Sequence, residues 1–349
     1  MPSRRTLSWL LALADPDGPS ELLPPKPLTQ AQADDLWRLA DRHGVLPAVV
    51  ANTVKVSKAN SFRRVLPPPP RQPSGQNELD VSLADPRETI LAKTALTLAV
   101  RSQGDQITKA FHRESLPACI IKGMDFADRL YANPALRNFG DIDLLVPDIA
   151  VERSQDILKQ LGYLPRMIGM KYDTGYGQQS FVRQDPAGGI VELHWNLVNS
   201  PSIRRGMSVE YDDLQFLPVQ SSENVSSLPS PGSLLLIAAV HAAASHAFDR
   251  LLLLCDVCQM VREAAGSIDT DWLGEAVTRT GSRMALATAL DLTGRLLREP
   301  RCAQLARKLR LPRGMLWRAL LTKGVILRAH ATVDSFRRNL FREMLKNPQ

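Results

Sequence analysis

Between residues 116 and 198 the hydrophobic period of the chain changes, and that change restricts the fold more than any other feature. Before it, apolar residues recur at helical spacing: Trp9, Leu10 and Leu13, then Leu36, Leu39 and Ala40. Pro86–Glu114 continues the 3.6-residue period with few breakers. The middle block then offers short β-leaning runs at Leu116–Ile121, Asp141–Val146, Tyr163–Ile168, Gln178–Arg183 and Ile190–Trp195. Two helical stretches, Met124–Tyr131 and Val151–Leu161, are interleaved with them, the second ending at Gly162 as a C′ glycine. The turn formers Asp185–Gly189 lie between the last two strands and predict a hairpin. From Ser233 onward the helical period returns. The pattern predicts an α+β fold with a small mixed-sheet core at about 115–220. An N-terminal helical region (1–114) and a C-terminal helical domain (232–349) flank it. The segment VLPPPPRQPSGQNELD, within which 65–80 reads as a Pro-rich loop, has linker composition.

With 349 residues, 44% hydrophobic and 23% charged, the chain can bury a core of about two domains. Four cysteines give no disulfide framework and point to a reducing cytoplasm. The start, MPSRRTLSWLLALADPDG, has a basic beginning and a short apolar run. Asp15 and Asp17 follow at once without a small-residue cleavage site, so an amphipathic helix is predicted. Leu234–Ala244 is too short to span a bilayer, and no membrane partner is expected. The net charge of +7 is uneven. Residues 295–349 carry 14 Lys and Arg against 3 Asp and Glu, a net +11 that leaves −4 elsewhere. Such a tail can meet RNA, nucleotide phosphates or an acidic partner, or simply be a solvated helical face.

The chemistry concentrates in LRNFGDIDLLV, residues 136–146. On a strand, Asp141 and Asp143 project from one face while Ile142 enters the core. Two carboxylates so spaced can share a divalent cation or bracket two. Mg²⁺ suits such oxygen ligands and takes others from substrate phosphates. Glu192, in GIVELHWNLV, supplies a third acid, with Val191 and Leu193 on the opposite face. D-x-D alone is weak, since a solvated strand end gives the same pattern. His194 shares the Glu192 face, as a base, a phosphate contact, a group orienting a carboxylate, or a packing residue.

The ordered blocks IKGMDFADRLYANPALRNFGDIDLLV and VELHW resemble an uncharacterised bacterial nucleotidyltransferase family with a KG…LY…R..GDIDLLV…HW pattern. That family belongs to the DNA polymerase beta-like nucleotidyltransferase superfamily. LLLIAAVHAAASHAFDRLLLLCDVCQMV resembles its later H…H…RL…D segment, and the likeness covers about Thr6–Leu297. It implies a nucleotidyltransferase core that moves an NMP from an NTP, ATP being one candidate, to a hydroxyl acceptor, releasing pyrophosphate. Asp141, Asp143 and Glu192 would be catalytic and hold Mg²⁺, two ions by the family's chemistry. Lys122, Gly123, Arg137 and His194 would contact the nucleotide. Lys-Gly stands where the wider superfamily has Gly-Ser, and Gly123 lies 18 residues before Asp141, a longer spacing than in aminoglycoside-type members. The acceptor stays open among a small molecule, a sugar, a peptide and tRNA. Two other readings stand beside it: a non-catalytic nucleotide-binding or interaction protein, and a toxin-like transferase acting on tRNA or protein through the basic tail.

The remaining motifs point to packing. Cys255 and Cys258 have C-x-x-C spacing but no second pair to complete a zinc site. His241 and His246, five residues apart, point about 140° from each other on an α-helix, which argues against a shared metal. His246, Arg250 and Asp256 are candidates to line the pocket. No P-loop, G-x-G-x-x-G or G-x-S-x-G motif is present.

Overall fold

A computed structural model describes residues 2–18, 24, 26–59, 86–166, 175–184, 189–217, 228–263, 266–328 and 332–347. The Pro-rich loop at 65–80 and most of the hairpin turn at 185–189 lie outside these residues. In order, the principal elements are α1 (Arg4–Ala14), α2 (Gln30–Arg42), α3 (Leu46–Ala59), α4 (Pro86–Arg113), β1 (Cys119–Ile120), α5 (Met124–Leu130), β2 (Asp141–Leu145), α6 (Val151–Gln160), β3 (Tyr163–Pro165), β4 (Gln178–Arg183) and β5 (Ile190–His194). Helices follow: α7 (Pro201–Arg204), α8 (Pro231–Val240), α9 (Leu251–Glu263), α10 (Thr270–Arg279), α11 (Arg283–Leu296), α12 (Pro300–Lys308), α13 (Met315–Leu320), α14 (Lys323–Leu327) and α15 (Thr332–Leu345). The architecture is α+β, as the periodicity predicts. Among the described residues, no helix is long and apolar enough to cross a membrane.

The strands form one mixed sheet in the order β1-β2-β5-β4-β3. β2 and β5 run parallel and the other neighbours antiparallel. Alternation assigns the two faces. Ile142 and Leu144 of β2, Val191 and Leu193 of β5 and Phe181 of β4 pack under α4 and α6, against Val100, Ile107, Phe111, Ile157 and Leu158. The other face carries Asp141, Asp143, Glu192 and His194. A one-residue slip of β5 would bury Glu192 and His194 beneath those helices, so the apolar layer fixes the register and the register fixes the carboxylates. Gln103 of α4 ties this layer to the sheet: its Oε1 accepts from the Tyr163 hydroxyl (2.9 Å) and the Gly189 N–H (2.8 Å).

A second, larger apolar cluster joins the two ends of the chain. Trp9, Leu10 and Leu13 of α1 and Leu36 of α2 pack in one cluster with Leu254, Val257 and Val261 of α9 and with α8 and α11. Arg262 of α9 reinforces it, donating from Nη1 and Nη2 to the two Asp15 oxygens at 2.8 and 2.7 Å and from Nε to Glu299 at 2.6 Å.

His43, fully buried just after α2, joins three elements. Its Nδ1 accepts the Leu251 N–H (3.3 Å), its Nε2 lies 3.2 Å from the Leu327 carbonyl, and its own carbonyl accepts the Leu252 N–H (3.1 Å). That pattern needs the neutral ring with its proton on Nε2. Burial pushes its pKa from 6.5 down to about 4. Between those values the unfolded chain binds the proton and the folded chain does not, so stability is full above pH 6.5 and falls as pH drops toward 4. The expected loss is on the order of 3 kcal/mol. Denaturant titrations of wild type and His43→Gln at pH 7.5 and 4.5 should show the gap between them narrowing in acid. Parallel curves would show that His43 carries no such linkage.

Candidate active site

The site is built where β2 and β5 run side by side. The parallel register pairs Asp143 with Glu192 directly, Asp141 with Ile190 and Leu145 with His194. Thr97 of α4 holds the approach to β2, its hydroxyl donating to the Phe139 carbonyl (3.0 Å) and accepting the Phe139 N–H (3.2 Å). On the other side of β2, the Ile121 N–H donates to the Asp143 carbonyl (3.1 Å), which carries Lys122 to the carboxylates. Gly123 then turns the chain into α5 with φ +55° and ψ −113°, a conformation suited to glycine.

These supports bring four side chains together. Lys122 Nζ donates to Asp143 Oδ1 at 2.7 Å, and His194 Nε2 lies 3.1 Å from the same oxygen. His194 Nε2 is also 3.6 Å from Glu192 Oε2. Asp143, Glu192 and His194 each offer a ligand atom within 4.8 Å of the others. Asp141, two residues earlier on the same face, stands outside that trio, so the most convergent acidic group takes His194 where the sequence pointed to Asp141. His194 Nδ1 is buried and has no hydrogen-bond partner among the described residues.

The charges are unequally satisfied. Burial alone would push the Asp143 carboxyl up, but the Lys122 ammonium and His194 hold it well below the ordinary carboxylate range. Asp141 is pushed the other way, to about 6, first by the Asp143 charge and then by burial. His194 is drawn up by Asp143 and Glu192 against its own burial. The site therefore holds one neutralised carboxylate beside a half-buried one under repulsion. Hard oxygen donors with surplus negative charge fit a divalent cation such as Mg²⁺.

Arg137 lines the same cavity, and its guanidinium is tied into the fold by three hydrogen bonds. Its Nε and Nη2 donate to Asp256 at 2.8 and 2.9 Å, and its Nη1 donates to the Gly123 carbonyl at 3.0 Å. The Tyr131 hydroxyl also donates to Asp256, at 2.8 Å. Arg137 and Asp256 are both buried, at 5% and 2% exposure. The guanidinium thus joins the Lys122–Gly123 corner to α9. Asp256 belongs to this bond network and not to the cavity wall.

Behind Lys122 lies His241, whose Nδ1 is 3.3 Å from Nζ. Sequence spacing set His241 and His246 on opposite sides of a helix, but the structure stacks their rings edge to face, 4.7 Å apart. The reason is local: after α8 the chain widens into a π turn over His241–Ser245, and residues five apart return to one side. His246 Nδ1 lies 3.3 Å from Asp249 Oδ1. Cys255 and Cys258 are buried free thiols in the core cluster, as their setting implied.

Asp141, Asp143 and Glu192 face a cavity of about 1020 Å³. Lys122, Gly123, His194, His241, His246 and Arg250 share its wall, and so do Arg342 and Lys346 of α15. Part of the basic C-terminal region is therefore turned inward. Arg342 donates from Nη2 to the Ser245 carbonyl at 3.0 Å, closing the end of the π turn.

A sheet face presenting acids from two parallel strands into a large cavity, beside a fixed lysine, is suited to phosphate chemistry with a metal ion. The chain belongs to the uncharacterised nucleotidyltransferase family, which it matches over residues 29–298. Comparison with curated proteins finds no match. Among solved structures, the antibiotic-resistance factor ANT(2'')-Ia is similar over 57% of this chain and 93% of that chain, with 17% identity and a TM-score of 0.32.

Proposed function

We propose that the protein transfers a nucleoside monophosphate from a nucleoside triphosphate to a hydroxyl acceptor, releasing pyrophosphate, with Mg²⁺ held by Asp141, Asp143 and Glu192. The pairing of Asp143 with Glu192 across β2 and β5, at the cavity and against Lys122, carries this reading. When bound, the metal would supply Lewis-acid activation and neutralise charge on the phosphates. The side chains supply the rest. Among the described residues Glu192 and Asp141 pair with no lysine or arginine, which suits them to ligate. His194, with Nε2 on Asp143, orients that carboxylate. Lys122 has three N–H donors, two directed at Asp143 and His241, and the third is left for a phosphate oxygen. Arg137 acts as a positioning residue through Gly123. The inward cations Arg250, Arg342 and Lys346 fit an anionic substrate. The buried free thiols are compatible with a reducing, cytoplasmic setting.

Calorimetry with ATP, GTP, CTP and UTP, with and without Mg²⁺, tests the donor. One nucleotide should bind in a metal-dependent way, and Asp141→Asn/Asp143→Asn should abolish that dependence. Binding without pyrophosphate release under any acceptor supplied would favour a non-catalytic nucleotide-binding protein. Equal metal-dependent binding by the double variant would sink the carboxylate assignment.

A further inference from the structure

Phosphoryl-transfer sites with two metals hold the ions about 3.5–4 Å apart, with carboxylates shared between them. In this chain one of the shared positions is already taken. Asp143 Oδ1 receives Lys122 Nζ at 2.7 Å and His194 Nε2 at 3.1 Å, which leaves Oδ2 as the oxygen open to a cation. Lys122 is no mobile surface lysine: its side chain is 10% exposed, and that of Asp143 is 2% exposed. The ammonium has a second fixed partner in His241 Nδ1, 3.3 Å away on the π turn. Its backbone is clamped on both sides, by the Ile121 N–H on the Asp143 carbonyl and by Arg137 on the Gly123 carbonyl. Three separate elements thus converge to hold one positive charge against β2.

Charge balance points the same way. Asp141, Asp143 and Glu192 carry three negative charges and Lys122 one positive charge, so a single divalent ion brings the group to neutrality. In the nucleotide-free site a second divalent ion would leave an excess of positive charge beside the buried Lys122 ammonium, which is costly.

Resting on the metal-dependent transferase reading above, we infer that this site takes one divalent ion, and that the Lys122 ammonium permanently fills the place and charge of the second. The consequence for substrate is specific. The ion would be shared by Asp141, Asp143 Oδ2, Glu192 and the triphosphate, and the third N–H of Lys122 would meet the same triphosphate from the other side.

The test counts metal. Full-length protein is dialysed to equilibrium against Mn²⁺ and the α,β-methylene analogue of whichever nucleotide calorimetry selects, and bound Mn²⁺ and nucleotide are measured per chain. Wild type should hold one Mn²⁺ per bound nucleotide and give the spectrum of an isolated ion by electron paramagnetic resonance. Lys122→Met should hold two, with the broadened spectrum of exchange-coupled neighbours. Two ions in wild type would overturn the inference without any variant, so a poorly folding Lys122→Met does not rescue it. One ion in both proteins would also overturn it, because the ammonium would then occupy no cation's place. Nucleotide bound with no Mn²⁺ would instead reject the metal-dependent reading on which it stands.

Discussion

Asp141→Asn should yield a protein more stable than wild type and inactive, whereas Asp143→Asn should yield one less stable and equally inactive. The two residues share a strand face and are two positions apart, yet their surroundings differ in sign. Asp141 is held up to about 6 by the Asp143 charge and by burial. The folded chain therefore keeps this proton to higher pH than the unfolded chain. Its carboxylate weakens the fold above pH 6, and the penalty fades as pH falls from 6 toward 3.8. Asparagine removes the charge, so at pH 7.5 without metal the variant should gain on the order of 1–3 kcal/mol. Asp143 is the counter-charge of the buried Lys122 and the partner of His194. Removing one member of a buried pair costs about 3–5 kcal/mol. Either change takes a ligand from the proposed ion, and losing about 4 kcal/mol of transition-state stabilisation lowers turnover by about 10³-fold. Denaturant titration and pyrophosphate release, measured on both variants, check the whole pattern. Equal stability changes in the two would show that the site does not hold the asymmetry described.

That asymmetry marks the limit of what the sequence could reveal. The alternation of charge and apolar residues in DIDLL and IVELH was enough to place Asp141, Asp143, Glu192 and His194 on one sheet face, because strand parity is a local property. The five strands and their interleaved helices were legible for the same reason, with boundaries shifting by at most three residues, as at β1, where only Cys119–Ile120 pairs. Which strand lies beside which was not legible. β2 and β5 are adjacent in space but separated along the chain by α6, β3 and β4, and their parallel register rests on packing under α4 and α6. The contact between Lys122 and His241 spans 119 residues and depends on a π turn that helical periodicity does not announce. The basic tail showed its charge in the sequence but not its direction, since Arg342 and Lys346 reach the cavity only through the docking of α15.

Arg137 is the residue whose ties in the fold its position in the motif announces least, and its replacement is expected to have a large effect on stability. A guanidinium shortly before the acidic strand is well placed in sequence to grip a phosphate. In the structure it makes a bidentate pair with Asp256, also 119 residues away, and its remaining bond holds Gly123. Arg137→Met leaves a buried carboxylate without its cation, and Asp256→Asn leaves a buried guanidinium without its anion. Each should cost about 3–5 kcal/mol, which at roughly 2–4 °C per kcal/mol lowers the melting temperature by about 6–20 °C. The double variant Arg137→Met/Asp256→Leu removes both charges and should recover much of that loss, since apolar replacements of a buried pair are often neutral or better. It should not recover turnover, because the Lys122–Gly123 corner still lacks its tie to α9. A phosphate-gripping arginine would give the opposite result: Arg137→Met would weaken nucleotide binding with little change in melting temperature, and Asp256→Asn would leave binding intact. Melting curves and nucleotide affinities for the three variants therefore separate a residue that holds the site together from one that touches its substrate.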